Sequence, residues 1–192
     1  MKKLLLFSGL LFALSSAVFA NEIFIFDDFS SGSGISKIGT RWEGFTDRVM
    51  GGVSDIQADL LPGESGNILR MRGNVSLENN GGFVQVRLPL VINQKSYDAS
   101  DYSGIVLRVR GKGDGYYIFL RTVRTRFPWA YFEQKIPVSE NWQEIRLPFS
   151  GFSSENMVKG SLETKNLTSI GIVAAKKQFY ADLEVDYIGF YR

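Results

Sequence analysis

The chain alternates apolar and polar residues over short runs, which is the pattern of strands with one buried face and one solvent-facing face. Residues 105–110 read Ile-Val-Leu-Arg-Val-Arg, and residues 144–147 read Glu-Ile-Arg-Leu. The same period, or a short apolar run, predicts further strands at 22–26, 67–72, 75–77, 83–90, 118–121, 129–136, 170–174 and 179–191. The chain after residue 20 has no long segment with the 3.6-residue period of an amphipathic helix.

Glycine-rich segments separate these runs. They include Ser-Ser-Gly-Ser-Gly at 30–34, Asn-Asn-Gly-Gly at 79–82 and Gly-Lys-Gly-Asp-Gly at 111–115. Such segments supply the positive φ angles that hairpin corners require. About nine to eleven short strands with this spacing predict an all-β fold, an antiparallel β-sandwich of the jelly roll type. The polar, aperiodic segment 150–168 is predicted to be a long connection across one end of the sandwich.

Residues 1–20 predict a secretory signal peptide. Two lysines precede an apolar run over residues 4–14, and residues 18–20 match a small-x-small cleavage site. The apolar run is too short to span a bilayer, so we expect no stable membrane insertion after cleavage. We therefore expect one β-sandwich domain at residues 21–192, exported to a periplasm or out of the cell.

The composition excludes several classes of function. The full chain has 22 basic and 20 acidic residues, and the leader contributes Lys2 and Lys3, so the mature chain is formally neutral. This balance gives no support to a nucleic-acid partner. The chain has no Cys and no His. Disulfide stabilisation, the His-dependent catalytic triads and the commonest transition-metal ligand are therefore excluded.

The stretch 46–54, Thr-Asp-Arg-Val-Met-Gly-Gly-Val-Ser, fits no strand pattern. Adjacent glycines allow backbone angles closed to other residues and allow another group to approach closely. In one interpretation, Asp47 or Arg48 bonds nearby backbone to fix a long loop, with Gly51 and Gly52 as a bulge. In the other, this loop lines a site for a ligand or a partner.

Together with later segments, this stretch resembles a known family. Trp42 precedes it, and it is followed by 73-GNVSLENNGGFVQVR-87, 104-GIVLRVRGKGDGYYIFLRT-122, 142-WQEIRLPF-149 and 182-DLEVDYIGFY-191. The order and spacing are similar to those of the complex I intermediate-associated protein 30 family, over roughly residues 26–191. The resemblance implies a galactose-binding-like jelly roll and non-enzymatic work, since mitochondrial relatives help to assemble respiratory complex I. This chain departs from them in its predicted export.

The resemblance directs attention to the two glycine-rich loops as a site for a protein partner. The candidate residues are Asp47, Arg48, Met50, Gly51, Gly52, Asn80, Gly81, Gly82 and Arg87. The loops could converge on one surface with Arg87, and the family resemblance favours this pairing. The alternative for residues 79–83 is a plain hairpin corner.

Arginines are frequent on the predicted polar faces. They are Arg70, Arg72, Arg87, Arg108, Arg110, Arg121, Arg124 and Arg126. One interpretation is a solvated sheet face with cross-strand ion pairs, each contributing less than about 1 kcal/mol. Glu133, Glu144 and Asp114 are then candidate partners. The other interpretation is an arginine-lined face that binds carboxylates on a sugar or a protein. Arg121 is the residue of this face counted among the candidate site residues.

An aromatic run at 124–134 supports a second function, that of a carbohydrate-binding module. If Phe132 is in the core, Trp129 and Tyr131 lie on the outer face, where aromatic rings can stack on a glycan or anchor a protein. The alternative is that these rings pack under a neighbouring loop. We therefore expect a protein or a glycan as the partner.

Acidic residues give two weaker hypotheses. Asp27 and Asp28 follow the first strand and Asp186 lies in the last, so together they could hold a structural Ca²⁺, the one cofactor considered. Asp186 could equally belong to a plain acidic face. A third function, sugar hydrolysis, would use the carboxylates of Glu133 and Glu144.

Overall fold

The computed structural model describes residues 22–64, 66–127, 129–155 and 160–192, and the predicted leader lies outside them. These residues form strands and four short 3₁₀ segments, at Asp47–Met50, Glu78–Asn80, Phe149–Gly151 and Thr164–Asn166. The strands are β1 (Ile23–Asp27), β2 (Glu43–Thr46), β3 (Gln57–Pro62), β4 (Asn67–Val75), β5 (Phe83–Pro89), β6 (Val91–Ile92), β7 (Lys95–Ser96), β8 (Gly104–Lys112), β9 (Tyr116–Thr122), β10 (Tyr131–Lys135), β11 (Gln143–Pro148), β12 (Ser153–Glu155), β13 (Leu167–Ala175) and β14 (Phe179–Tyr191).

The strands build two six-stranded sheets. The first has the order β11-β8-β14-β4-β3, and β1 pairs with the C-terminal part of β14. The second has the order β12-β10-β9-β13-β5-β2, and β6 and β7 form a separate hairpin. Every pairing is antiparallel. The structure therefore confirms the predicted all-β, antiparallel sandwich.

One hydrophobic core fills the space between the sheets. Phe26, Tyr116, Phe132, Ile172 and Phe190 are all buried within it. Burying a large apolar side chain contributes roughly 1.5–3 kcal/mol, and packing is the stabilising force left to a chain without cysteine. The buried phenol of Tyr116 is satisfied, because it donates to one backbone carbonyl and accepts from one backbone N–H.

The predicted strand list was incomplete. The stretch 67–72 and Val75 belong to one continuous strand, β4, whereas Ser76 and Leu77 lie beyond its end. The segment 150–168 contains β12 as well as connecting chain. The short strands β2, β3, β6 and β7 were missed too. Most of these missed strands are short or lie at a sheet edge, where backbone hydrogen bonds hold them without requiring a period-two apolar pattern.

The outer face of the first sheet carries a ladder of ion pairs. Arg70 binds Asp182 through two N–H groups, with both N–O distances 2.9 Å. Further along β14, Arg110 binds Glu184 at 2.6 Å and Arg108 binds Asp186 at 2.7 Å. The ion-pair interpretation is therefore confirmed for this face, because β14 lies between the arginine-bearing strands β8 and β4.

The predicted acidic partners of these arginines were wrong. Glu133 binds Lys176, Asp114 pairs with Lys135 and Lys177, and Glu144 bonds Tyr187 and its strand neighbour Arg146. The partners are Asp182, Glu184 and Asp186 on β14, of which only Asp186 was considered above, for a calcium site or a plain acidic face.

We expect Asp182→Asn to lower the free energy of unfolding by about 1 kcal/mol, because this pair is partly exposed to solvent. About 1 M NaCl should remove most of that difference by screening. Urea titrations at low and high salt measure both effects, with Asp59→Asn, whose ion pair is longer and more exposed, as the control. A loss above about 2 kcal/mol that salt leaves unchanged would contradict this account.

Candidate functional site

A trough lies on the outer face of the second sheet, where side chains of β2, β5, β9, β10 and β13 line it together with residues of two loops. The outward positions of β13 include Ser169, Gly171 and Val173, whereas the neighbouring strands present large side chains such as Phe119 and Arg87. Loops raise the walls of this trough and close it into a cavity of about 700 Å³. The size suits a ligand or a short peptide segment.

Both glycine-rich loops reach this cavity, which confirms that they converge on one surface. Eight predicted site residues line it: Met50, Asn80, Gly81, Gly82, Arg87, Arg121, Trp129 and Tyr131. The lining is completed by residues that the sequence did not single out: Phe45, Val49, Leu77, Phe83, Gln85, Phe119, Ala175 and Lys176. A binding role for these residues stays a prediction.

Tyr131 and Trp129 each belong to a stacked pair of aromatic rings. The rings of Phe119 and Tyr131 are 3.8 Å apart between centroids and nearly parallel, at 11°. Phe127 stacks on Trp129 at 5.3 Å and 9°, and the indole is half exposed. The expected outward position of Trp129 and Tyr131 is thus confirmed, with Phe132 in the core. Offset or parallel rings of this kind present a flat apolar surface.

Three cationic side chains face the cavity. Arg87 lies 4.2 Å above the ring of Phe45 and 3.6 Å from the carboxylate of Glu43. Lys176 donates to Glu133 at 2.6 Å. Burial lowers the pKa of Arg121, and the nearby charge of Arg87 lowers it further. Desolvation and a like charge both disfavour a cation. The part of the cavity lined by Arg87 and Arg121 therefore favours an anion.

Asp47 is the link between the two loops, and it is fully buried. Its carboxylate accepts hydrogen bonds from the backbone N–H and the hydroxyl of Ser54, and from the N–H groups of Gly82 at 2.6 Å and Phe83 at 3.3 Å. Burial alone would raise the pKa of Asp47, but these hydrogen bonds outweigh it and hold the pKa below its usual value.

The two adjacent glycines are needed for different reasons, and a third glycine, Gly81, shares the reason of Gly52. The 3₁₀ segment starting at Asp47 ends at Gly51, whose φ of +91° is left-handed, so Gly51 terminates a turn and the predicted bulge was wrong. A Cβ added at Gly52 would come within 3.0 Å of three side-chain atoms of Asp47. A Cβ at Gly81 would lie 2.5 Å from Asp47 Oδ2. Both glycines let backbone pack directly on the carboxylate.

Four predicted site residues therefore support the cavity from behind and do not line it. They are Asp47, Arg48, Gly51 and Gly52. Arg48 Nε donates to the carbonyl of Ser54 at 2.9 Å, which closes the loop over Asp47. The interpretation of 46–54 as a braced loop holds for these residues. Val49 and Met50, which belong to the same loop, face the cavity.

The carboxylates proposed for calcium are engaged by protein donors. Asp27 accepts from the N–H of Phe29 and from the indole of Trp42, and Asp28 pairs with Lys37. Asp186 is the partner of an arginine in the ladder. Among the residues that the structure describes, no group of three or more acidic residues is placed to hold a metal ion.

The two carboxylates proposed for sugar hydrolysis lie on opposite layers. Glu133 is next to the core residue Phe132 on β10 of the second sheet, and Glu144 is next to the core residue Ile145 on β11 of the first. Because neighbouring residues of a strand point to opposite faces, each carboxylate faces outward on its own side. They cannot flank one glycosidic bond.

The architecture is a jelly-roll β-sandwich similar in fold to solved carbohydrate-binding modules. The family 11 module of a Clostridium thermocellum cellulosomal cellulase superposes with a TM-score of 0.70 at 17% identity, covering 89% of this chain and 95% of the module. The same module in complex with a β-1,3-1,4-mixed-linked tetrasaccharide gives a TM-score of 0.69 at 16% identity, covering 89% of this chain and 96% of the module. At these identities the likeness shows the fold alone.

The chain belongs to the complex I intermediate-associated protein 30 (CIA30) family, whose model matches residues 28–185. The mitochondrial complex I intermediate-associated protein 30 of Mus musculus is 31% identical over 111 residues, which cover 50% of this chain and 32% of the mouse protein. The matched region is therefore about a third of that relative. Within the described ranges, no helix is long and apolar enough to cross a membrane.

Proposed function

We propose that this chain is an exported, non-catalytic binding module whose cavity holds a segment of a partner protein during complex assembly. The observation that carries the proposal is the apolar rim of the cavity. Val49, Met50 and Leu77 lie on the two loops with 72%, 54% and 50% of their surface exposed. Exposed apolar side chains grouped around a concave surface are typical of a protein interaction site.

The composition of the cavity also suits a protein partner. Trp129, Tyr131 and two arginines face one concave space, and these are the residue types that dominate binding energy at protein interfaces. Membership of the family supports an assembly role, because the mouse relative is named for its association with an intermediate of complex I. Export rests on the predicted leader at residues 1–20.

Carbohydrate binding is the second candidate, and the stacked rings of Phe119 and Tyr131 favour it. The apolar face of a sugar ring can pack on such a surface. Asn80, Gln85 and Arg87 would supply polar groups at its edge. The likeness in fold to a module solved with a bound tetrasaccharide supports this candidate as well.

The test replaces Trp129 with alanine and follows what the protein retains from an extract of the source organism. We expect a partner protein to bind the wild type and to be reduced at least about tenfold on the Trp129→Ala variant, as for loss of a central aromatic anchor. The matched control is Tyr180→Ala, since Tyr180 is similarly exposed but lies on the other sheet.

Binding of the purified partner must then be reproduced by titration calorimetry with the same three proteins. Equal retention on Trp129→Ala and Tyr180→Ala would contradict a role for the cavity. A glycan array on the same samples separates the two candidates. A glycan signal lost only in Trp129→Ala, with no protein retained, would replace the assembly role by carbohydrate binding.

A further inference from the structure

We infer that the partner segment places an Asp or Glu carboxylate against Arg87 and Arg121 and apolar side chains against the two loops. The inference rests on the proposed function and specifies the chemistry of the segment that the cavity holds. It follows from the difference in charge between the two ends of the cavity.

The two ends of the cavity differ in charge along the direction of β13. Arg87 pairs with Gly171, and Arg121 pairs with Ser169 on the opposite side of the strand. Both arginines line the cavity. One end of the trough is therefore cationic.

The opposite end is mainly apolar, and its cationic residue Lys176 is paired with Glu133. Phe83 pairs with Ala175 where β13 ends, and the N–H of Lys176 donates to the carbonyl of Gly82. The loops that begin there carry Val49, Met50 and Leu77. Gly171 and Ala175 are four positions apart along β13, which is about 13 Å at the usual rise of a strand. An extended segment of about four residues spans both ends.

The charges of the lining are unbalanced. Among the described residues that line the cavity, three are cationic and none is acidic. Lys176 is bound to Glu133, and Arg87 lies 3.6 Å from a half-exposed Glu43. Arg87 is close enough to Arg121 for its charge to be felt there. A carboxylate between the two guanidinium groups would relieve their repulsion.

Arginine suits this role because its planar donors match the two oxygens of a carboxylate. Aromatic rings line the same space, and a charge-assisted hydrogen bond is stronger in apolar surroundings than in solvent. A neutral amide of the same shape would accept fewer hydrogen bonds and leave the repulsion in place. A cationic side chain would be repelled.

The test uses two acetylated and amidated tetrapeptides, Glu-Ala-Leu-Trp and Trp-Leu-Ala-Glu, which cover both chain directions. Their isosteres with Gln in place of Glu serve as uncharged probes. Titrations of the ¹⁵N-labelled protein, read at the cavity amides and at the arginine Nε–H resonances, provide the dissociation constants. We expect one Glu peptide to bind about tenfold more tightly than its Gln isostere at low salt.

Variants show whether the preference belongs to the two arginines. Arg87→Gln and Arg121→Gln should each reduce it to about twofold or less, whereas Arg72→Gln on the other sheet should leave it unchanged. Amide spectra establish that each variant is folded. Should Arg121→Gln fail to fold, Arg87→Gln decides the question alone.

The outcomes separate this inference from the proposed function. Equal binding of Glu and Gln peptides, or no binding of any of them, would overturn the inference even if a partner protein is captured through Trp129. A Glu preference that disappears with Arg87 supports it even if that capture fails. Trigalacturonate is the last probe. Tighter binding of this acidic glycan than of either Glu peptide would overturn the protein segment as occupant.

Discussion

Replacing Asp47 with asparagine is expected to lower the free energy of unfolding by about 3 kcal/mol. The buried carboxylate accepts from four donors on Ser54, Gly82 and Phe83, and it satisfies all of them with two oxygens. Asparagine has the same shape, but its NH₂ group would face at least one of these N–H or O–H donors. The variant therefore leaves buried donors unpaired in the same space.

Urea unfolding of the two proteins measures this loss, and Asp59→Asn is the control. Asp59 is partly exposed, and its contact with Arg72 is 3.8 Å long, so its replacement should cost less than about 1 kcal/mol. A loss for Asp47→Asn no larger than that of Asp59→Asn would show that the carboxylate does not hold the loops.

The same carboxylate predicts a pH dependence with a definite sign. Its pKa in the folded protein is lower than that of an unfolded Asp. The stability it contributes is therefore present above about pH 4 and is lost as the pH falls through the folded pKa. The difference between the wild type and Asp47→Asn should consequently shrink below about pH 4. A difference that stays constant down to pH 2 would contradict this linkage.

Replacing Gly52 with alanine is the second large effect that we expect, with a loss of about 2–4 kcal/mol. The new methyl group would overlap the side chain of Asp47. That side chain is held by hydrogen bonds to two loops, so moving it breaks some of them. Either the carboxylate is displaced from its donors or the backbone of the loop shifts.

Gly51→Ala is a matched control one residue away. Gly51 has a φ of +91°, so alanine there is strained, but its Cβ would meet no atom within 4 Å. We expect a loss of about 1 kcal/mol from the backbone strain alone. Urea titrations of both variants compare overlap with strain at adjacent positions. Equal losses would mean that the overlap at Gly52 is relieved at no cost.

A double-mutant cycle connects the two results. In an Asp47→Ala background, Gly52→Ala should cost less than in the wild type, because the atoms it overlaps most are gone. Additive losses would show that the two residues act independently. Because Asp47 holds both loops that carry the apolar rim, these variants should also weaken binding at the cavity. They are therefore unsuitable for locating the binding residues themselves.

The alternation of apolar and polar residues by itself determined that the chain is an antiparallel sandwich with one core. It also determined which residues of each strand point outward, as with Trp129 and Tyr131 beside the buried Phe132. Period two carries this information because it is local to one strand. The glycine-rich segments that resemble the family are also contiguous stretches, so the sequence alone was enough to identify the family.

Only the tertiary structure decided which outward faces belong together. Arg87 and Arg121 face the cavity, whereas Arg70 and Arg110 are neutralised on the other sheet. The buried carboxylate of Asp47 holds two loops together through a hydrogen bond from Gly82, which lies 35 residues away in sequence. A local pattern cannot predict a contact between residues that far apart. Strand order and hydrogen bonds between distant segments set these pairings, and no local period encodes them. The cavity itself forms because side chains from several strands and from both loops face one space.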